Sequence, residues 1–79
     1  MRSILYRSSG INVRYYKLEL FLSLFGEYIV EREYGNVIYR SPTGRRKNIF
    51  LSINSAKEFY FKTLKSKKHR GYKDDSHSN

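Results

Sequence analysis

Between Asn12 and Leu22 apolar and polar side chains alternate with a period of two. Tyr16, Leu18, Leu20 and Leu22 fall on one side; Tyr15, Lys17, Glu19 and Phe21 fall on the other. One apolar face and one mixed face predict an antiparallel strand with a wet side. Phe25-Gly26 breaks the run, and Glu27–Tyr34 alternates again. Tyr28, Val30, Arg32 and Tyr34 share one face of this second run, with Ile29, Glu31 and Glu33 opposite. The two runs read as a hairpin linked near Leu24–Glu27. Ahead of them, Arg2–Tyr6 predicts a short strand with Ile4 and Tyr6 on one face, closed by the turn signal Ser8-Ser9-Gly10. After them, Gly35-Asn36 predicts a turn and Val37-Ile38-Tyr39 an extended continuation. Ser41-Pro42-Thr43-Gly44 is the clearest loop, because proline fixes φ and glycine opens positive φ. Asn48–Leu51 predicts a further strand, with Ile49 and Leu51 opposite Phe50.

At Ser52 the period changes from two to about 3.6. Ala56, Phe59, Tyr60, Thr63, Leu64 and Lys67 form one stripe, as on an amphipathic helix. Ser52 or Asn54 would cap its start, and Gly71 suits the residue just past its end. Strands followed by one helix predict an α+β fold: an antiparallel sheet of about four strands with the C-terminal helix on one face. Residues 1–72 read as a single domain, and residues 73–79 as a disordered polar tail with little to bury.

Composition sharpens this picture. The 79-residue chain has no cysteine, so no disulfide or thiolate metal site reinforces its core. Eight tyrosines suit such a thin core, because the ring packs inside while the hydroxyl reaches water. Sixteen basic residues against seven acidic ones give +9. The imbalance is concentrated beyond residue 39, where Glu58 is the one acid before residue 74. That asymmetry points to a polyanion, nucleic acid above all, against the plainer reading of a solubilising surface. No apolar run is long enough to span a bilayer, and Met1–Gly10 lacks the apolar core of a signal peptide. The expectation is a cytoplasmic protein without membrane association.

Two stretches are candidate phosphate contacts. Arg45-Arg46-Lys47 beside the Pro-Gly loop reads either as a phosphate clamp or as charged protection of a sheet edge. Lys62, Lys65, Lys67, Lys68 and Arg70 read either as a backbone-tracking surface or as a solvated helix end favoured by the helix dipole. Lys67 lies within the apolar stripe, so its stem would rest on the core while its ammonium snorkels. His69 and His77 have no partners at metal-ligand spacing. Neither Asp74-Asp75 nor Glu31 with Glu33 makes a convincing acid/base pair, and no glycine-rich phosphate loop is present. The expectation is a protein that is not an enzyme and uses no cofactor.

Leu24-Phe25-Gly26-Glu27-Tyr28-Ile29-Val30-Glu31-Arg32-Glu33-Tyr34-Gly35-Asn36 resembles the strand that leads into the Trp-Gly-Arg signature of the bacterial WGR domain family. Tyr15–Leu20 is similar to that family's upstream strand, Phe50–Ala56 to its approach to the helix, and Lys67–Tyr72 to its Lys-x-x-basic-Gly-Tyr ending. The likeness spans about residues 13–72. Tyr34 stands where the family has Trp, Asn36 where it has Arg, and Ile38 where a further Gly is usual. The resemblance implies nucleic-acid binding. In poly(ADP-ribose) polymerases the WGR domain engages DNA near a break, its Trp packs on the terminal nucleotide, and its Arg helps contact neighbouring domains. Tyr34 keeps an aromatic face for stacking, whereas Asn36 lacks the charge and fork of Arg.

The expected function is therefore a small basic module that binds nucleic acid, DNA before RNA, at ends or nicks. The candidate contacts are Tyr34, Asn36, Arg40, Arg45, Arg46, Lys47, Lys65, Lys67, Lys68 and Arg70. The alternative is an adaptor for an acidic protein partner.

Overall fold

The alternation across Asn12–Leu22 becomes the middle strand of a five-stranded antiparallel sheet in the computed structural model, which describes residues 1–74. Strands β1 (Arg2–Ser9), β2 (Asn12–Leu22), β3 (Tyr28–Asn36) and β4 (Gly44–Phe50) form a meander. Helix α1 (Ile53–His69) follows, and β5 (Lys73–Asp74) comes last. The spatial order is β4-β3-β2-β1-β5, so β5 returns to the edge beside β1. The expected α+β architecture holds, with one more strand than the sequence pattern suggests. That strand lies where the polar tail was expected to begin. Lys73 pairs with Tyr6 and Asp74 with Leu5, while residues 75–79 lie outside the described residues.

The hairpin links follow local chemistry. Ser9 pairs with Asn12, leaving Gly10-Ile11 as a two-residue link. Gly10 has φ +64°, at the position that a type II′ turn reserves for glycine. In the next link the Ser23 hydroxyl accepts from the backbone N–H groups of Phe25 and Glu27, each at 3.2 Å.

Two segments depart from the sequence expectation. Val37-Ile38-Tyr39 is not extended. The Asn36 side-chain oxygen accepts from Ile38 N–H at 3.1 Å, and its carbonyl accepts from Tyr39 N–H at 3.1 Å, so the chain turns instead. The strand predicted over Asn48–Leu51 begins earlier and ends at Phe50, with Arg45-Arg46-Lys47 forming the body of β4. Glu31 faces Lys47 and Glu33 faces Arg45 across the β3–β4 ladder, and these opposite charges favour the longer strand.

The core lies between sheet and helix. Leu5, Tyr16, Leu18, Leu20 and Val30 from three strands meet Ala56 and Tyr60 from α1, all buried. The small Ala56 side chain permits close approach of the helix. The Tyr60 hydroxyl meets Ser3 Oγ at 2.6 Å, so the largest buried side chain keeps its polar end satisfied. Leu22 has the parity of Leu18 and Leu20 but is 59% exposed.

Both helix ends are capped. Ser52 accepts from the N–H groups of Asn54 and Ser55. At the other end Gly71 N–H donates to the Lys68 carbonyl and Tyr72 N–H to the Lys67 carbonyl, with Gly71 at φ +100°. This is a Schellman closure, and it folds Tyr72 back towards the sheet. Replacing Ser52 by Ala should destabilise the domain by about 1 kcal/mol. Thermal unfolding should then shift down by roughly 4–8 °C. A transition unchanged within error would show that this cap contributes nothing.

Candidate nucleic-acid interface

Residue parity on three strands brings one set of side chains to the helix-facing side at a single end of the sheet. Arg14 and Tyr16 come from β2, Arg32 and Tyr34 from β3, and Arg46 from β4. The ladder places Tyr16 opposite Tyr34, Arg32 opposite Arg46, and Tyr34 opposite Gly44. A Cβ on residue 44 would clash with the Tyr34 ring, so glycine there makes room for the ring. Lys67 reaches the same place from the last turn of α1, and Tyr72 reaches it through the Schellman turn. Together these residues line a cleft of about 310 Å3, and among the described residues no carboxylate lines it.

The aromatic rings hold this arrangement. Tyr16 and Tyr34 stack nearly parallel, with centroids 5.7 Å apart and planes 6° apart. Tyr72 meets Tyr16 edge-on at 6.0 Å. The Lys67 ammonium sits 4.6 Å from the Tyr16 centroid, and the Arg7 guanidinium 5.2 Å from that of Tyr72. These are cation–π distances, each worth on the order of 1 kcal/mol when partly exposed. Arg32 lies 5.4 Å from the Phe59 centroid and donates from Nη2 to Asn48 Oδ1 at 3.0 Å. Its Nε is buried and has no hydrogen-bond partner among the described residues.

The electrostatics of the cleft are one-sided. Burial pushes the Lys67 ammonium below the ordinary lysine range, and Arg70, Arg32 and Arg7 push it further down. Burial likewise raises the Tyr16 phenol, against an opposing pull from Arg32. Among the described residues the ion pairs are Lys17–Glu33, Arg45–Glu33 and Lys68–Asp74. None involves a residue lining the cleft. The opposite face of the sheet is mixed, with Lys17, Glu19, Glu31, Glu33 and Arg45 gathered around a second hollow.

A family model for the WGR domain matches residues 3–79. The chain belongs to the WGR domain family. No curated protein and no solved structure matches it significantly. The WGR domain is a nucleic-acid-binding module in poly(ADP-ribose) polymerases and related proteins, a binding unit rather than a catalytic one.

In this WGR domain the signature positions have separate physical roles. Tyr34, in place of Trp, is half-buried, packed on Tyr16 and over Gly44. Gly35 is buried, and a Cβ there would crowd the Thr43 nitrogen, the Tyr15 ring and Pro42. Glycine is needed at that point because the 37–43 loop crosses the strand. Asn36, in place of Arg, spends its side-chain oxygen on the turn at Ile38.

The structure separates the ten candidate residues. Tyr34, Arg46 and Lys67 line the cleft. Asn36 lies beside it on the same strand face, and Arg70 joins an adjoining groove. Lys65 borders a hollow further along the helix. Lys68 points to the β5 flank and pairs with Asp74 at 2.6 Å. Arg45 and Lys47 project from the opposite sheet face, where Arg45 binds Glu33 at 3.0 Å. Arg40 is exposed in the loop and does not line the cleft. Arg14, Arg32, Tyr16 and Tyr72 line it without having been singled out as contacts. Their signal was the shared parity of Arg14 with Tyr16 and of Arg32 with Tyr34.

The depressed pKa gives Lys67 a definite effect on stability. Between its folded and unfolded values Lys67 binds fewer protons in the folded chain, so its contribution to stability rises with pH across that window. Lys67→Met keeps the apolar stem and removes the charge. The variant should be more stable than the parent in urea at about pH 7 and low salt, and that advantage should shrink by about pH 10, near the ordinary lysine value. A variant less stable at both pH values would mean that the cation–π contact outweighs the repulsion.

Proposed function

We propose that this domain binds DNA at strand ends or nicks through the cleft of Arg14, Arg32, Arg46 and Lys67 around Tyr16, Tyr34 and Tyr72. The observation that carries this reading is the gathering of four cations and three aromatic rings with no carboxylate among the described residues that line the cleft. The cations repel one another in the free protein, and phosphates would relieve that repulsion. The half-buried rings of Tyr34 and Tyr72 keep exposed edges for a sugar or base, with the buried Tyr16 holding them in place. The size of the cleft supports an end over an intact duplex. About 310 Å3 is at the lower end of small-ligand sites. Such a hollow suits one nucleotide unit, which duplex DNA offers only where a strand stops or is unpaired. RNA would satisfy the same phosphate contacts, and the reading favours DNA on the family's behaviour.

A second reading, an adaptor for an acidic protein, draws on the same acid-free cleft together with exposed apolar side chains at the far end of the sheet. Leu24, Phe25 and Leu51 there are nearly fully exposed. Nuclease-resistant recovery of a stoichiometric acidic protein, with no nucleic-acid binding in solution, would favour it.

The deciding experiment is fluorescence anisotropy with blunt duplex, nicked duplex and single strand at two salt concentrations. Binding should weaken steeply with salt. Arg14→Gln and Arg46→Gln should each flatten the salt slope on duplex by roughly 0.9. Tyr34→Ala should cost about 1–3 kcal/mol of affinity. Affinity indifferent to salt and to all three substitutions would overturn the proposal.

A further inference from the structure

The cleft does not end at Lys67. A second groove of about 380 Å3 shares Tyr16, Arg32 and Lys67 with it and adds Phe59, Lys62 and Arg70. A third hollow shares Lys62, Ser66 and Arg70 with the second and adds Lys65 and His69. The three hollows therefore adjoin, each sharing lining side chains with the next. They lead from the sheet face, between α1 and β3, onto the outer side of the C-terminal half of the helix. Among the described residues, no acidic side chain lines any of them. Glu58 lies one turn before Lys62 and sets the far limit of the track. Lys68 is excluded, because it sits on the other flank with Asp74.

We propose that this track receives a short single-stranded extension of the nucleic acid whose end occupies the cleft; the inference rests on the nucleic-acid binding proposed above. Shape and charge commit the track to this occupant. The path bends over the curved surface of a helix. Duplex DNA, stiff over about 150 base pairs, cannot follow such a bend, whereas a single strand can. Lys62, Lys65 and Arg70 are exposed cations for phosphates, and the half-buried Phe59, with Arg32 over its ring, lines the middle groove. Lys62 and Arg70 border both the second and the third hollow, so a strand that crosses the helix between them passes both cations and meets Lys65 beyond.

The test compares a blunt duplex with duplexes carrying four-nucleotide 5′ or 3′ extensions, using anisotropy over a range of salt. One extension polarity should bind about tenfold more tightly than the blunt duplex at moderate salt. Its salt slope should be steeper by about 2, from three single-strand phosphate contacts at about 0.7 each. Lys62→Gln/Lys65→Gln/Arg70→Gln should abolish that increment, so that extended and blunt duplexes bind the variant with equal affinity and equal salt slope. All three positions are exposed, so circular dichroism should show an unchanged fold. Equal affinity and slope for blunt and extended duplexes, with blunt binding intact, would overturn the track alone. An increment that survives the triple substitution would overturn its location. Loss of binding to every duplex in the parent protein would overturn both this inference and the function on which it rests.

Discussion

The buried ring of Tyr16 is touched from three directions, and the geometry of the cleft follows from those contacts. Tyr34 stacks on it, Tyr72 meets it edge-on, and the Lys67 ammonium lies over it. At 3% exposure Tyr16 also belongs to the core and shares a strand face with Leu18 and Leu20. One side chain thus ties the packing of the sheet to the position of the helix end. The ring's negative face partly compensates a lysine that burial and three arginines would otherwise leave poorly stabilised. A cluster of like charges persists here because aromatic surfaces and core packing hold it.

The two faces of the sheet divide the charge. On the outer face, Glu33 accepts from Tyr15 and Arg45 and lies near Lys17, so positive charge there is matched locally. On the helix face the cleft cations have no carboxylate partner among the described residues. A net charge of +9 therefore hides the contrast between the two faces at this end of the sheet. This is how a small domain becomes directional towards a polyanion without a large basic surface.

Much of this fold was legible in the order of residues. The two alternating runs, the change of period at Ser52 and the glycine at position 71 each have a local cause, and each appears in place. The extent of β4 was not legible, because three consecutive cations carry no apolar alternation and their strand is set by Glu31 and Glu33 across the ladder. β5 was hidden for a similar reason: two polar residues have no periodicity, and pairing with β1 is what orders them. For the cleft, a run of neighbouring cations was a misleading guide. Arg45, Arg46 and Lys47 alternate between sheet faces, so only Arg46 arrives, while isolated Arg14 and Arg32 converge from strands far apart in sequence. Lys67 could be foreseen, because its place in the apolar stripe already set it against the sheet.

The return of the chain to β1 also bears on how the domain folds. The first four strands are joined as successive hairpins, whose contacts form between near neighbours and close quickly. β5 instead pairs with Leu5 and Tyr6 across almost the whole length of the chain. That long loop can be closed at low entropic cost only after α1 has docked and the glycine turn has redirected the backbone. The short strand β5 thus closes the longest loop in the sheet over the meander, and the same return of the chain sets the Tyr72 wall of the cleft.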